Sequence, residues 1–121
     1  MDSGLLVLTI LLWKHAFVDL FLQTFHTGGD KTLYIGKSHR HYIEHGFFTF
    51  VSVIFFTSWP LALALSILDY FIHWHVDYSK SKIVKHFSID RQSRQFWRLQ
   101  AIDQFLHYST YAGIVFILLQ L

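Results

Sequence analysis

Leu68-Asp69-Tyr70-Phe71-Ile72-His73-Trp74-His75-Val76-Asp77-Tyr78 sets four ionisable side chains of the Asp/His type into a run that is otherwise apolar and aromatic. Asp69, His73 and Asp77 are spaced four apart, so on a helix they form one line down one face. Polar groups among such neighbours are costly unless other elements bring them partners. The stretch therefore predicts a helix with one reactive face, and a fold that closes on that face.

The rest of the chain fits that expectation. It has 121 residues, enough for one domain over 1–121. It is 53% hydrophobic and only 15% charged, well under the roughly 25% charged residues of a soluble domain. There is no Cys, which excludes disulfides, zinc fingers and iron–sulfur clusters. Apolar segments at about 4–25, 41–58, 60–79 and 96–121 approach the ~20 residues needed to cross a ~30 Å hydrocarbon layer. The predicted fold is all-α, a four-helix transmembrane bundle. A soluble bundle is the alternative, but runs without a polar face are hard to solvate. Pro60 suits the first turn of the third helix, and Trp59 suits a membrane interface. The N-terminal run has no basic leader and reads as a helix rather than a cleaved signal.

Nine of the ten basic residues are Lys31, Lys37, Arg40, Lys80, Lys82, Lys85, Arg91, Arg94 and Arg98. They fall in or beside the two connectors on one side of the bundle. The positive-inside rule makes that side cytoplasmic, puts both termini outside, and points to the inner membrane. Topology explains this basic cluster without a nucleic-acid partner. The lipid bilayer is the expected environment, and oligomers are compatible with it.

Every predicted helix carries an Asp or His pair four apart: His15/Asp19, His41/His45, Asp69/His73/Asp77 and Asp103/His107. With His26/Asp30 and His86/Asp90 the chain has seven such pairs, where its composition gives about two by chance. The helical pairs lie at similar depth and can meet in one layer in the cytoplasmic half. If ionised, Asp19, Glu44, Asp69, Asp77 and Asp103 bring five negative charges, which a small bundle cannot bury bare. Two divalent cations would nearly cancel them. His15, Asp19, His41, His45, Asp69, His73, Asp77, Asp103 and His107 are therefore the candidate metal ligands. A nitrogen and oxygen donor set without sulfur suits Zn first, with Fe or Mn as alternatives, as one or two ions. Interhelical His–Asp hydrogen bonds alone are the competing explanation.

Two further residues are candidates for catalysis. His41-Tyr42-Ile43-Glu44-His45 matches H-x-x-E-H and nominates Glu44 as a base. Lys14 could contact an oxyanion or phosphate, or pair with an acidic neighbour. His75 lies off the Asp69 line, and His26, His39 and His86 fall in polar loops and are expected to be solvated.

The motifs at Lys14–Thr24 (KHAFVDLFLQT), His41–Gly46 (H-x-x-x-H-G), Leu68–Tyr78 (LDYFIHWHVDY) and Asp103–His107 (D-Q-x-L-H) carry a resemblance. Together they resemble a domain-of-unknown-function family of small multi-pass membrane proteins from bacteria and phages. The family offers no activity to carry over. More loosely, the chain looks like membrane-bound metal-dependent hydrolases, which also place His and Asp in apolar helices. The expected function is a membrane-embedded metal-dependent hydrolase acting on a lipid or phosphoester-type substrate, with a phospholipid as one candidate. The alternatives are a metal-ion or proton channel or transporter, a di-iron oxidative enzyme, and a structural membrane protein with a stabilising metal.

Overall fold

The computed structural model describes residues 3–23 and 31–121, so the His26/Asp30 pair lies outside the described residues. Four helices and no strand form among them. Helix α1 (Ser3–Ala16) runs on into a wider π-helical stretch, Phe17–Leu22. Helices α2 (His39–Val53), α3 (Trp59–His86) and α4 (Arg94–Leu119) follow. The all-α expectation of four helices holds.

The boundaries differ in an instructive way. Helix α2 starts with His39, which was expected in a loop, and ends at Val53 rather than near residue 58. Helix α3 begins on Trp59-Pro60 as expected but runs on to His86, past the expected end at 79. The apolar pattern stops near Tyr78, but Lys80, Lys82 and Lys85 are good helix formers and nothing there breaks the backbone. Polarity ends an apolar span without ending a helix. The stop comes at Phe87-Ser88, where Ser88 turns to a positive φ of 49°. Ser93 caps α4, its hydroxyl accepting from the Phe96 amide at 3.2 Å.

Each helix packs on its neighbours in chain order, and α4 closes the ring against α1. The α2–α3 pair is the most intimate. A Cβ at Gly46 would lie 3.0 Å from the Tyr70 Cβ and 3.2 Å from the Ser66 carbonyl oxygen. The missing side chain is therefore what lets the two backbones approach.

Burial is inverted relative to a water-soluble domain. Val7, Leu11, Val53, Ala62, Leu65, Tyr111, Ile114 and Val115 form an apolar cluster, yet thirteen buried residues are polar or charged against ten that are hydrophobic. Large apolar side chains instead cover the outside, including Trp13, Leu20, Phe21, Phe55, Phe105 and Phe116. Ser3–Leu22 and Arg94–Leu119 are long and apolar enough to cross a membrane. Neither α2 nor α3 meets that test. The 15 residues of α2 span only ~23 Å, and α3 is interrupted by Asp69, His73, His75 and Asp77.

Candidate metal centre

The His/Asp layer is built by helix periodicity. In α1, His15 and Asp19 stand one turn apart at the point where the helix widens, and the Gln23 amide donates to the Val18 carbonyl at 2.9 Å. Such widened turns recur at functional sites because they re-aim a side chain without ending the helix. In α2, His41 and His45 share the buried face with Thr49. Helix α3 contributes the line Asp69, His73 and Asp77, and α4 contributes Asp103, His107 and Tyr111.

Two groups of potential ligands result, Asp19/His41/His45/His73 and His73/Asp77/His107, each with its ligand atoms within 4.8 Å of one another. In the first, Asp19 Oδ1 lies 2.7 Å from His45 Nε2, 3.2 Å from His41 Nε2 and 4.0 Å from His73 Nε2. A tetrahedral ion with ligands at ~2.1 Å sets its donors about 3.4 Å apart, so these separations bracket the required value. In the second, the Asp77 carboxylate faces both ways. Its Oδ2 is 3.5 Å from His73 Nε2 and 3.8 Å from His41 Nε2, while its Oδ1 is 3.1 Å from His107 Nε2. His73 belongs to both groups. Its ring stacks on His45 at 3.6 Å and on His107 at 3.8 Å.

The donor set also fits a cation by what is left unsatisfied. His41 is wholly buried; its Nδ1 has no partner and its Nε2 meets only Asp19 and Asp77 oxygens, at 3.2 and 3.8 Å, without hydrogen-bond geometry, while His73 Nδ1 is unpaired. A buried polar atom without a partner costs about 1–3 kcal/mol. An ion beside His41 Nε2 would remove part of that cost.

Three expected ligands serve the layer from outside these groups. His15 Nε2 reaches Asp19 Oδ2 at 2.9 Å and the Gln104 side-chain oxygen at 3.0 Å, and its Nδ1 meets the Tyr111 hydroxyl at 2.6 Å. It lies against Asp19 but belongs to neither of the two groups. Asp69 accepts from Lys14 Nζ at 2.8 Å and from the Thr49 hydroxyl at 2.6 Å. Asp103 lies 3.3 Å from His107 Nε2 and 3.5 Å from Lys80 Nζ.

The charge balance is therefore not the one expected. Lys14 pairs with Asp69, Lys31 with Asp77 at 3.1 Å, Lys80 with Asp103, and Arg40 with Glu44 at 3.1 Å. Four of the five carboxylates already have a cation. Asp19 alone has only imidazoles for company, at the most open point of the layer, with 23% of its side chain exposed. A cation would therefore fit beside Asp19, the one of the five without a Lys or Arg partner among the described residues. A second ion at Asp77 would compete with Lys31.

The two catalytic candidates also have definite places. Glu44 pairs back along its own helix with Arg40 and belongs to neither group. Lys14 is buried and takes the acidic partner that was one of its two expected roles. His75 stays off the line and bonds Tyr34 at 2.9 Å. His39 is not solvated, since it is half-buried and bonds the Tyr70 hydroxyl. His86 is exposed, but at the end of α3 and not in a loop.

Thr49, Gln104, Tyr111 and Lys31 were not anticipated. Thr49 and Tyr111 continue the four-residue spacing from His45 and His107, so the signal was there in the sequence. Lys31 sits in a connector without periodicity and could only be found in three dimensions.

Fold and site together define an all-helical bundle with buried His/Asp groups able to hold a metal ion. No family model matches the chain, and no curated protein or solved structure matches it.

Proposed function

We propose that this chain is a membrane-embedded, metal-dependent hydrolase whose ion is held among Asp19, His41, His45 and His73. The observation that carries the reading is the convergence on Asp19: His41, wholly buried and without a well-formed hydrogen bond, brings Nε2 to 3.2 Å from Asp19 Oδ1, beside His45 Nε2 at 2.7 Å. Membership of the small bacterial and phage membrane family rests on the four sequence motifs and forms part of the same proposal.

The bilayer placement is supported by the inverted burial and by the two helices long enough to span. All four helices would lie in the membrane, with the Asp19 edge toward the cytoplasmic leaflet and both termini outside. Zinc suits imidazole and carboxylate donors, and with three of Asp19, His41, His45 and His73 as ligands and the fourth position open it would supply a Lewis acid and an activated water. Asp77 stands beside His73 and His41 as the nearest further carboxylate, able to accept a proton from such a water. Lys31 and Lys80 sit partly exposed at the same edge, a placement suited to a phosphoester or phospholipid substrate.

A conductor is the weaker reading. Val7, Leu11, Val53, Ala62, Leu65 and Ile114 pack into an apolar plug, and a path through one chain would need polar groups there.

Elemental analysis of the purified wild type against His41→Ala/His45→Ala tests the site. We expect about one zinc per wild-type chain and none in the variant; equal metal in both would overturn the site. Metal bound without turnover of phospholipid or simple phosphoester substrates would overturn the hydrolase reading while leaving the centre standing.

A further inference from the structure

Helix α3 continues for nine residues beyond Asp77, the last member of the layer, or ~13 Å along the axis. This extension, the connector after it and the start of α4 carry Lys80, Lys82, Lys85, Arg91, Arg94 and Arg98 against a single acid, Asp90. Lys80 is committed to Asp103 and Gln100. Lys82 leans over the Tyr78 ring at 5.8 Å. Lys85, Arg91, Arg94 and Arg98 are exposed and form no ion pair among the described residues. Around the end of α3, Lys82, Ile83, Lys85, His86 and Phe87 line an open groove of about 510 Å³. Phe87 is 68% exposed, and nearby in sequence Trp97 is 62% exposed.

We propose that this corner is a binding site for the headgroup of an anionic phospholipid. The inference rests on the bundle lying in a bilayer, but not on the metal or the hydrolase chemistry. Lys85 and His86 near a helix C-terminus complement the helix dipole, which accounts for them alone. Arg94 does the opposite: it opens α4, where the dipole disfavours a cation and the first turn holds no acid. Uncompensated charge of one sign on an extension past the apolar layer is matched by the negative surface of a membrane leaflet. Exposed Phe87 and Trp97 suit the boundary between headgroup and acyl chain. The groove then takes the phosphate between Lys82 and Lys85, with Ile83 and Phe87 against the upper acyl chains.

The test uses the full chain in a neutral detergent, titrated with phosphatidylglycerol or phosphatidylcholine and read by native mass spectrometry. A hydrogen bond to a charged phosphate is worth about 1.5–3 kcal/mol, so Lys82→Gln/Lys85→Gln/Arg94→Gln should weaken phosphatidylglycerol retention at least about tenfold. Phosphatidylcholine retention and zinc content should not change. In the wild type alone, added salt should release phosphatidylglycerol and leave phosphatidylcholine bound, a readout that does not depend on the variant folding. Equal retention of the two lipids by the wild type, or of phosphatidylglycerol by wild type and variant, would overturn the site. Recovery of the chain from cells in the aqueous fraction would overturn both this proposal and the membrane placement, whatever its metal content.

Discussion

Lys14 Nζ lies 2.8 Å from Asp69 Oδ2 and 2.9 Å from His45 Nδ1, tying a carboxylate on α3 to an imidazole on α2 through one buried cation on α1. It also donates to the His45 carbonyl at 3.3 Å. Without an ion, an ammonium on Nδ1 leaves the ring proton on Nε2, where it faces Asp19 Oδ1 at 2.7 Å; an ion on Nε2 would shift that proton to Nδ1, with Lys14 then accepting there as a neutral amine. Lys14 is thus a positioning residue for His45, and the Lys14–Asp69 pair is a clamp across three helices.

Breaking that clamp on one side should be expensive. With 5% and 1% of the two side chains exposed, Lys14→Met leaves Asp69 as an uncompensated buried charge, at about 3–5 kcal/mol. The double variant Lys14→Met/Asp69→Asn should recover much of the loss. Thermal melts of the two singles and the double give the coupling directly, and additive losses would show that the pair is not a unit.

Bound zinc should stabilise the fold. At a hundredfold excess over its dissociation constant, a ligand adds about 2.7 kcal/mol to the native state. Zinc should raise the Tm of the chelator-treated wild type and leave that of His41→Ala/His45→Ala where it was. A similar rise in the variant would place the ion elsewhere.

Removing an orienting partner should weaken the ion without abolishing its site. His15 touches Asp19, Gln104 and Tyr111 but belongs to neither ligand group. His15→Ala should lower zinc affinity by about 10- to 100-fold, the usual effect of losing such a partner. His45→Ala should lower it further. Competition with a chromophoric chelator measures both, and equal losses would make His15 a ligand.

The α2–α3 contact should tolerate no bulk. At Gly46 the Ser66 carbonyl oxygen, a backbone atom, waits 3.2 Å from any added Cβ. Gly46→Leu should cost about 1–3 kcal/mol by forcing the helices apart, and it should weaken zinc binding because His45 is the next residue. A melt unchanged from wild type would show that α3 can shift freely.

The line of Asp69, His73 and Asp77 was legible in the sequence because helical spacing alone fixes which residues share a face. All three are 3% exposed or less. The same logic found the pairs in α1, α2 and α4, and with them the count and type of the helices. It also held the clue to Thr49 and Tyr111, one step further along the same lines. Helix lengths were less legible, since α3 keeps its backbone pattern to His86 after its apolar side chains run out.

What each ionisable group does was decided only by the tertiary structure. Spacing gives a direction around one helix and says nothing of the neighbour it will meet. Asp69 and Asp77 stand on the same face of α3, yet one is held by Lys14 and the other lies between His73 and His107. Lys31 comes from a connector with no period at all and still reaches Asp77. Five of the chain's eight acids fall in the predicted helices, but only packing shows that the chain neutralises four of these itself. Asp19 is left among imidazoles because charge pairing depends on distances of a few ångströms between helices, which no sequence period encodes.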